Sequence, residues 1–186
     1  MTHAEATLPP LHVAITETVI GKALEVYLLR RGHELWSGFK LGDSGPEADY
    51  VSVHADEVHV WVVGQTLSKE MLARAVRWSQ NAHGVPHYIH CVVETLGEGA
   101  FFLRPALKEH RLGVLHFNAR SYQWMRDRLE NGGEAGDYMG CFYEGAGHVA
   151  QQQPASASLA VEIRNKLDPY QKYRPPVKTE QNQQPL

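Results

Sequence analysis

Apolar residues along this chain recur at helical spacing in some segments and alternate at strand spacing in others. Ile20, Ala23, Leu24, Tyr27 and Leu28 form one helical stripe, which predicts a helix from about Thr16 to Arg31. Thr16 is a good cap, Glu17 suits the first turn, Arg30 and Arg31 suit the last, and Gly32 ends the run. A strand is expected at Leu35 to Leu41, although Trp36 and Phe39 break strict alternation. GDSGP at 42–46 reads as a turn. Ala48 to Val53 is β-branched and reads as a strand, Ala55-Asp56-Glu57 as a tight connection, and Val58 to Val63 as a second strand. That second strand is apolar on both faces, as a buried central strand would be.

A second helix is expected from Ser68 to Ala82, with Met71, Leu72, Ala75, Val76 and Ser79 inward and Lys69, Glu70, Arg74 and Arg77 in solvent. Gly84 ends it, and Pro86 to Glu94 reads as the next strand. Phe101 to Leu103 reads as a short edge element, Pro105 to His110 as a helical turn, Leu112 to Phe117 as a last strand, and Ala119 to Glu130 as a closing helix. Strand–helix–strand units of this kind cross over in parallel and right-handed. The expected class is α/β, a central mixed β-sheet flanked by helices over residues 1–133, with an extended C-terminal tail. Residues 134–186 form a Gly-, Gln- and Pro-rich extension, including QQQPASAS at 151–158 and a short helix expected at Leu159 to Leu167. Its end has two readings: a disordered tail, or a peptide that docks on a protein partner through Tyr170, Tyr173 and the adjacent proline pair.

Composition narrows the function classes. Hydrophobic residues make up 43% and charged residues 21%, enough apolar material for a folded core without staples. The net charge of −3 argues against broad sequence-independent binding of nucleic acid, which draws on many phosphate contacts. Nucleic acid stays a candidate partner through a local basic face. The two cysteines, Cys91 and Cys141, form no metal-binding pair and suit a reducing compartment. No apolar run is long enough to span a bilayer, and the first residues lack a signal-peptide pattern, so the expected location is cytoplasmic, with no membrane partner.

Two further constellations carry chemistry. His83, His87 and His90 crowd NAHGVPHYIHC, but strand alternation sets His87 and Cys91 on one face and His90 on the other, which disfavours zinc. ARSYQWMRDRLE presents Arg120, Tyr122, Trp124 and Arg126 as a basic, aromatic edge for nucleic acid or a partner, diluted by Asp127 and Glu130. The eleven histidines allow a response to pH near 6–7.

The order of elements over roughly residues 17–130 resembles the PD-(D/E)XK, or restriction-endonuclease-like, nuclease superfamily. GPEADYVSV resembles its "PD" strand, EVHVWVVGQT the strand bearing E-x-K, SKEMLARAVRWSQNAHG the following helix, and HRLGVLHFN the late glycine-led strand. By this resemblance Asp49 takes the place of the motif aspartate, Gln65 that of the lysine, and Glu17 that of the helix glutamate. Such a site holds magnesium between carboxylates and uses it on a scissile phosphate. Here Val63 stands where the motif glutamate is expected, and valine offers a cation no oxygen. Relocated acids are Glu47, Glu70 and Glu94, of which Glu94 would join Asp49 on the metal. The resemblance therefore implies a catalytically degenerate subunit for nucleic-acid or protein recognition in a larger complex of the defence (including phage defence), repair or mobile-element type, without a cofactor. The alternatives are an active Mg2+-dependent DNA or RNA endonuclease and a pure protein-interaction module. A homodimer is a further candidate state.

Overall fold

The computed structural model describes residues 11–41, 44–81, 87–130, 139–145, 147–153 and 172–173. Helix α1 (Glu17–Arg30) leads into an antiparallel meander, β1 (Glu34–Lys40), β2 (Glu47–His54) and β3 (Glu57–Val63). Helix α2 (Lys69–Asn81) carries the chain to β4 (His87–Val93), parallel to β3, and α3 (Ala100–Glu109) carries it to β5 (Gly113–Phe117), parallel to β4. Helix α4 (Ala119–Glu130) precedes a 3-10 turn at Met139–Cys141 and β6 (Phe142–Glu144), which is antiparallel to β5. A two-residue strand, β7 (Lys172–Tyr173), lies on the outer side of β1. The sheet order is β6-β5-β4-β3-β2-β1-β7. The molecule is thus α/β: a six-stranded mixed sheet between two helical layers, with β7 added at one edge.

Each face of the sheet has its own core. Val51, Val60, Val62, Ile89, Cys91 and Val114 pack under α2 and α3. Tyr50, Trp61, Val63, Val92 and Leu115 pack under α1 and α4. The central strands β3 and β4 feed both cores, which is why their sequences are apolar almost throughout. The helix starts follow local chemistry. Thr16 Oγ1 accepts from the Val19 N–H at 3.2 Å, and Ser68 Oγ accepts from the Met71 N–H at 3.1 Å.

The broken alternation of β1 has a backbone cause. Gly38 adopts φ +62°, and the chain turns over there, so that Trp36 and Phe39 both enter the α2 layer although three residues apart. Val51 and Ala48 do the same on β2. Two other expectations change. Phe101 to Leu103 is not an edge element but the first turn of α3, which continues through Pro105. Proline in the second turn removes only the N–H that would reach back to Phe101, so the helix survives it. Residues 139–153, assigned by sequence to the extension, close the sheet instead. Besides β6, the Val114 N–H donates to the His148 carbonyl at 2.8 Å and the Gln153 N–H to that of His87 at 2.9 Å. The helix expected at Leu159 to Leu167 lies outside the described residues.

Candidate functional site

Beyond the pair Tyr50–Trp61, strands β2 and β3 part. β2 stays with β1 through Ala48 and Glu47, while β3 stays with β4 through Val62 and Val63. The N–H of Val63, on the β2 side, therefore has no backbone partner across the gap. Asp49 fills the vacancy: its Oδ2 accepts from the Val63 N–H at 2.7 Å. The same oxygen accepts from Arg74 Nη2, on α2, at 3.2 Å. Arg74 was expected in solvent; it is half-buried and aimed at the fork instead.

The fork opens into a cleft of about 590 Å³ between α1, β1, β2 and α2. Its carboxylates are Glu17, Glu47 and Asp49, and its cations are Lys22, Lys40 and Arg74. The acids and bases are largely paired. Lys40 lies 3.3 Å from Glu47, Arg74 pairs with Asp49, and Lys22 Nζ lies 3.4 Å from Glu25. Gly38 and Gly21 also line it; Gly38 is exposed, whereas Gly21 is buried under the Tyr50 hydroxyl. Beneath it, Glu25 is almost fully buried and accepts a 2.8 Å bond from the Tyr50 hydroxyl. Burial, the bond to Glu25 and the nearby Glu25 and Asp49 charges all raise the Tyr50 pKa, so Tyr50 acts only as a neutral donor.

These residues do not fit a magnesium ion. Asp49 is committed to a backbone N–H and a guanidinium, whose charge opposes a divalent cation. Val63 lines the cleft with an apolar side chain. Among the described residues, no three His, Cys, Asp or Glu side chains are grouped to hold a metal. Glu17 shares the cleft with Asp49, but Gln65 and Glu94 do not line it. The Gln65 side-chain amide donates to the carbonyl of Ile15, tying down the segment before α1. Glu94 follows β4, and its N–H donates to the Gln65 carbonyl at 3.0 Å. Glu70 is exposed on α2 and Glu47 is tied to Lys40.

On α4 the expected edge divides. Tyr122 is buried with its ring 5.3 Å from that of Phe117, so it serves the core. Trp124 is 61% exposed, with the Arg128 guanidinium 4.9 Å from its ring centre, and Arg120 and Arg126 are exposed on the same helix. Tyr173 pairs through its backbone with Leu35 of β1, and Tyr170 lies outside the described residues.

Sequence reasoning missed a second cluster at the other end of β3. His33, His54, His59 and His90 gather around Trp61. His90 and His87 take opposite faces, as alternation requires, and His87 is buried on the α2 side. His54 and His59 flank the β2–β3 turn, and the meander brings them to His33 at the end of α1. Only the pairing register, which the sequence does not print, would have disclosed this.

Comparisons with family models, curated proteins and solved structures returned no match. The class that fold and site define is an α/β protein with a charge-paired cleft at the fork of its meander.

Proposed function

We propose that this chain is a non-catalytic relative of the PD-(D/E)XK nucleases, serving in nucleic-acid recognition as a subunit of a larger complex. The order of elements supports the relationship: a helix, an antiparallel three-stranded meander, a helix, and then strands parallel to the third. So does the position of Asp49, at the fork where an acid would meet a phosphate and its metal. The observation that carries the loss of chemistry is the fate of that acid. Asp49 is committed to the Val63 N–H and the Arg74 guanidinium, and Val63 supplies no second metal ligand. A donor set that does not fit a divalent cation would not supply the polarised phosphodiester and metal-bound hydroxide on which such cleavage rests. The surface offered to nucleic acid is the exposed side of α4, where Arg120 and Arg128, each four residues from Trp124, share its face and Arg126 adds a further exposed cation on the same helix.

The test is plasmid nicking with Mg2+ or Mn2+ alongside a gel-shift series in salt. No nicking is expected, together with a shift that weakens steeply as salt rises and is reduced in Arg120→Ala/Arg126→Ala. Cleavage abolished by Asp49→Ala would establish an active endonuclease and overturn the reading.

One observation favours a second reading, a protein-interaction module. Phe101 and Phe102, at the start of α3, are 71% and 81% exposed and meet edge to face. Adjacent bare phenylalanines are an unusual cost for a free surface. Absence of any gel shift at low salt, with a partner lost in Phe101→Ser/Phe102→Ser, would favour it.

A further inference from the structure

The histidine cluster lies at the opposite end of β3 from the Asp49 cleft, near the start of the strand rather than its end. It lines a separate pocket of about 480 Å³, a volume within the range of small-molecule sites. The walls are aromatic: His33, His54, His59, Trp61 and His90, with Tyr27 behind them. Their planes fall into two stacked sets, His33 with His54 and His59 with Trp61 and His90, which meet edge-on, His33 at 63° to His59 and 70° to Trp61. Trp61 and His90 stack with centroids 4.0 Å apart and planes 12° apart. His59 lies within 27° of His90 and 22° of Trp61, and His33 stacks on His54 at 4.7 Å and 18°. Ser52, fully buried, fixes the array by accepting from Trp61 Nε1 at 2.8 Å and lying 2.9 Å from His33 Nδ1.

A cluster of imidazoles invites a metal reading, and the ring geometry rejects it. An imidazole lone pair lies in the ring plane, so the near-parallel rings within each set send their lone pairs side by side, and among the described residues no three His, Cys, Asp or Glu side chains are grouped to hold a metal. His59 Nδ1 and His90 Nε2 are in addition hydrogen-bonded to each other at 3.0 Å. What near-parallel rings do offer is a stack that another flat ring can extend.

We propose that this pocket binds a planar nucleobase carrying a phosphate, from a free nucleotide or from an unpaired base of a nucleic-acid strand. The rim suits both halves of such a ligand. Glu57 and Glu144 are acceptors for exocyclic amino groups, and Arg31 at the mouth is a cation for the phosphate. Arg31 is already poised there, its guanidinium 4.9 Å from the Tyr27 ring centre and bonded to the Tyr27 hydroxyl. The interior suits a neutral base, because burial holds His33, His59 and His90 uncharged at neutral pH. The site is independent of the cleft reading, since it shares no residue with the Asp49 cleft.

The experiment is calorimetric titration of the full chain at pH 7.5 with adenosine monophosphate, adenosine and a short single-stranded oligodeoxyadenylate. Saturable binding of one ligand per chain is expected. His54→Ala should weaken it about tenfold, the usual scale of one lost stacking contact. Arg31→Ala should erase the advantage of the monophosphate over adenosine. Both side chains are exposed, and thermal melts should show both variants folded. Binding of the monophosphate assigns a free-nucleotide site; binding of the oligonucleotide alone, still sensitive to His54→Ala, assigns an unpaired base. No binding by any of the three, or binding that both folded variants retain in full, overturns the proposal.

Discussion

At Asp49 two demands meet on one oxygen: an amide of the sheet that has lost its neighbour, and an arginine from the helix above. Replacing Asp49 with alanine leaves the buried Val63 N–H unsatisfied, which costs about 1–3 kcal/mol. Asp49→Asn keeps an acceptor for that N–H and loses only a half-exposed ion pair, so its cost should be about 1 kcal/mol or less. Urea unfolding of the two variants checks this ordering, and an alanine variant as stable as the parent would remove the capping role. The histidines give a second prediction at this scale. Burial, reinforced by the neighbouring His59, His54 and Arg31 charges, pushes His33 down to about 3, and burial also lowers His59 and His90. Glu57 partly counters the shift at His59. The folded state therefore binds fewer protons than the unfolded chain once the pH drops below the ordinary histidine value, and stability falls with it. The loss begins near pH 6.5 and, for His33, continues towards about pH 3. Melting temperature should fall by several degrees from pH 7 to pH 5, and by less in His33→Gln/His59→Gln. The individual residues were legible in the sequence as an acid, a glutamine and histidines. Their partners were not, because Arg74 with Asp49 and His59 with His90 meet only through strand register and helix placement.

Among the elements, legibility followed locality. Both caps, Thr16 and Ser68, and the stop at Gly32 act within a few residues, so pattern alone placed α1 and α2 closely. β1 was less plain because its face changes at Gly38, a backbone event that a period-two pattern does not encode. Space around Gly38 is open, with nothing within 4 Å of an added Cβ, so Gly38→Ala is expected to cost about 1–2 kcal/mol from the left-handed backbone alone. The hairpin between β2 and β3 carries the opposite opportunity. Ala55 and Asp56 both have positive φ, at 47° and 66°, without being glycine. Asparagine tolerates that conformation better than alanine, so Ala55→Asn should stabilise the protein by about 0.5–1 kcal/mol. Thermal melts of the two variants should move in opposite directions; a stabilised Gly38→Ala would contradict the observed turn-over of β1.

For the whole molecule, the question is where the fold ends. Composition changes after residue 133, and a boundary drawn there cuts the sheet. Polar and glycine-rich sequence hides two buried residues, Cys141 and Phe142, that complete the α1–α4 core beside Tyr27 and Phe117. Composition averages over a window, whereas a three-residue strand needs only one apolar residue facing inward. Truncation separates the two boundaries. A chain ending at residue 153 keeps β6 and the contacts of Gln151 and Gln153 with Arg111 and His87, and loses, of the described fold, only β7. Its unfolding free energy should match the full chain within about 1 kcal/mol, since β7 pairs with β1 over only two residues. A chain ending at residue 133 strips a buried phenylalanine and exposes the outer edge of β5. Loss of the phenylalanine alone costs about 3–5 kcal/mol, a large share of the 5–15 kcal/mol that typically holds such a domain together. That shorter chain should unfold at much lower denaturant and, with an uncovered strand edge, tend to aggregate. Equal stability of the two truncations would mean that β6 is not part of the folding unit.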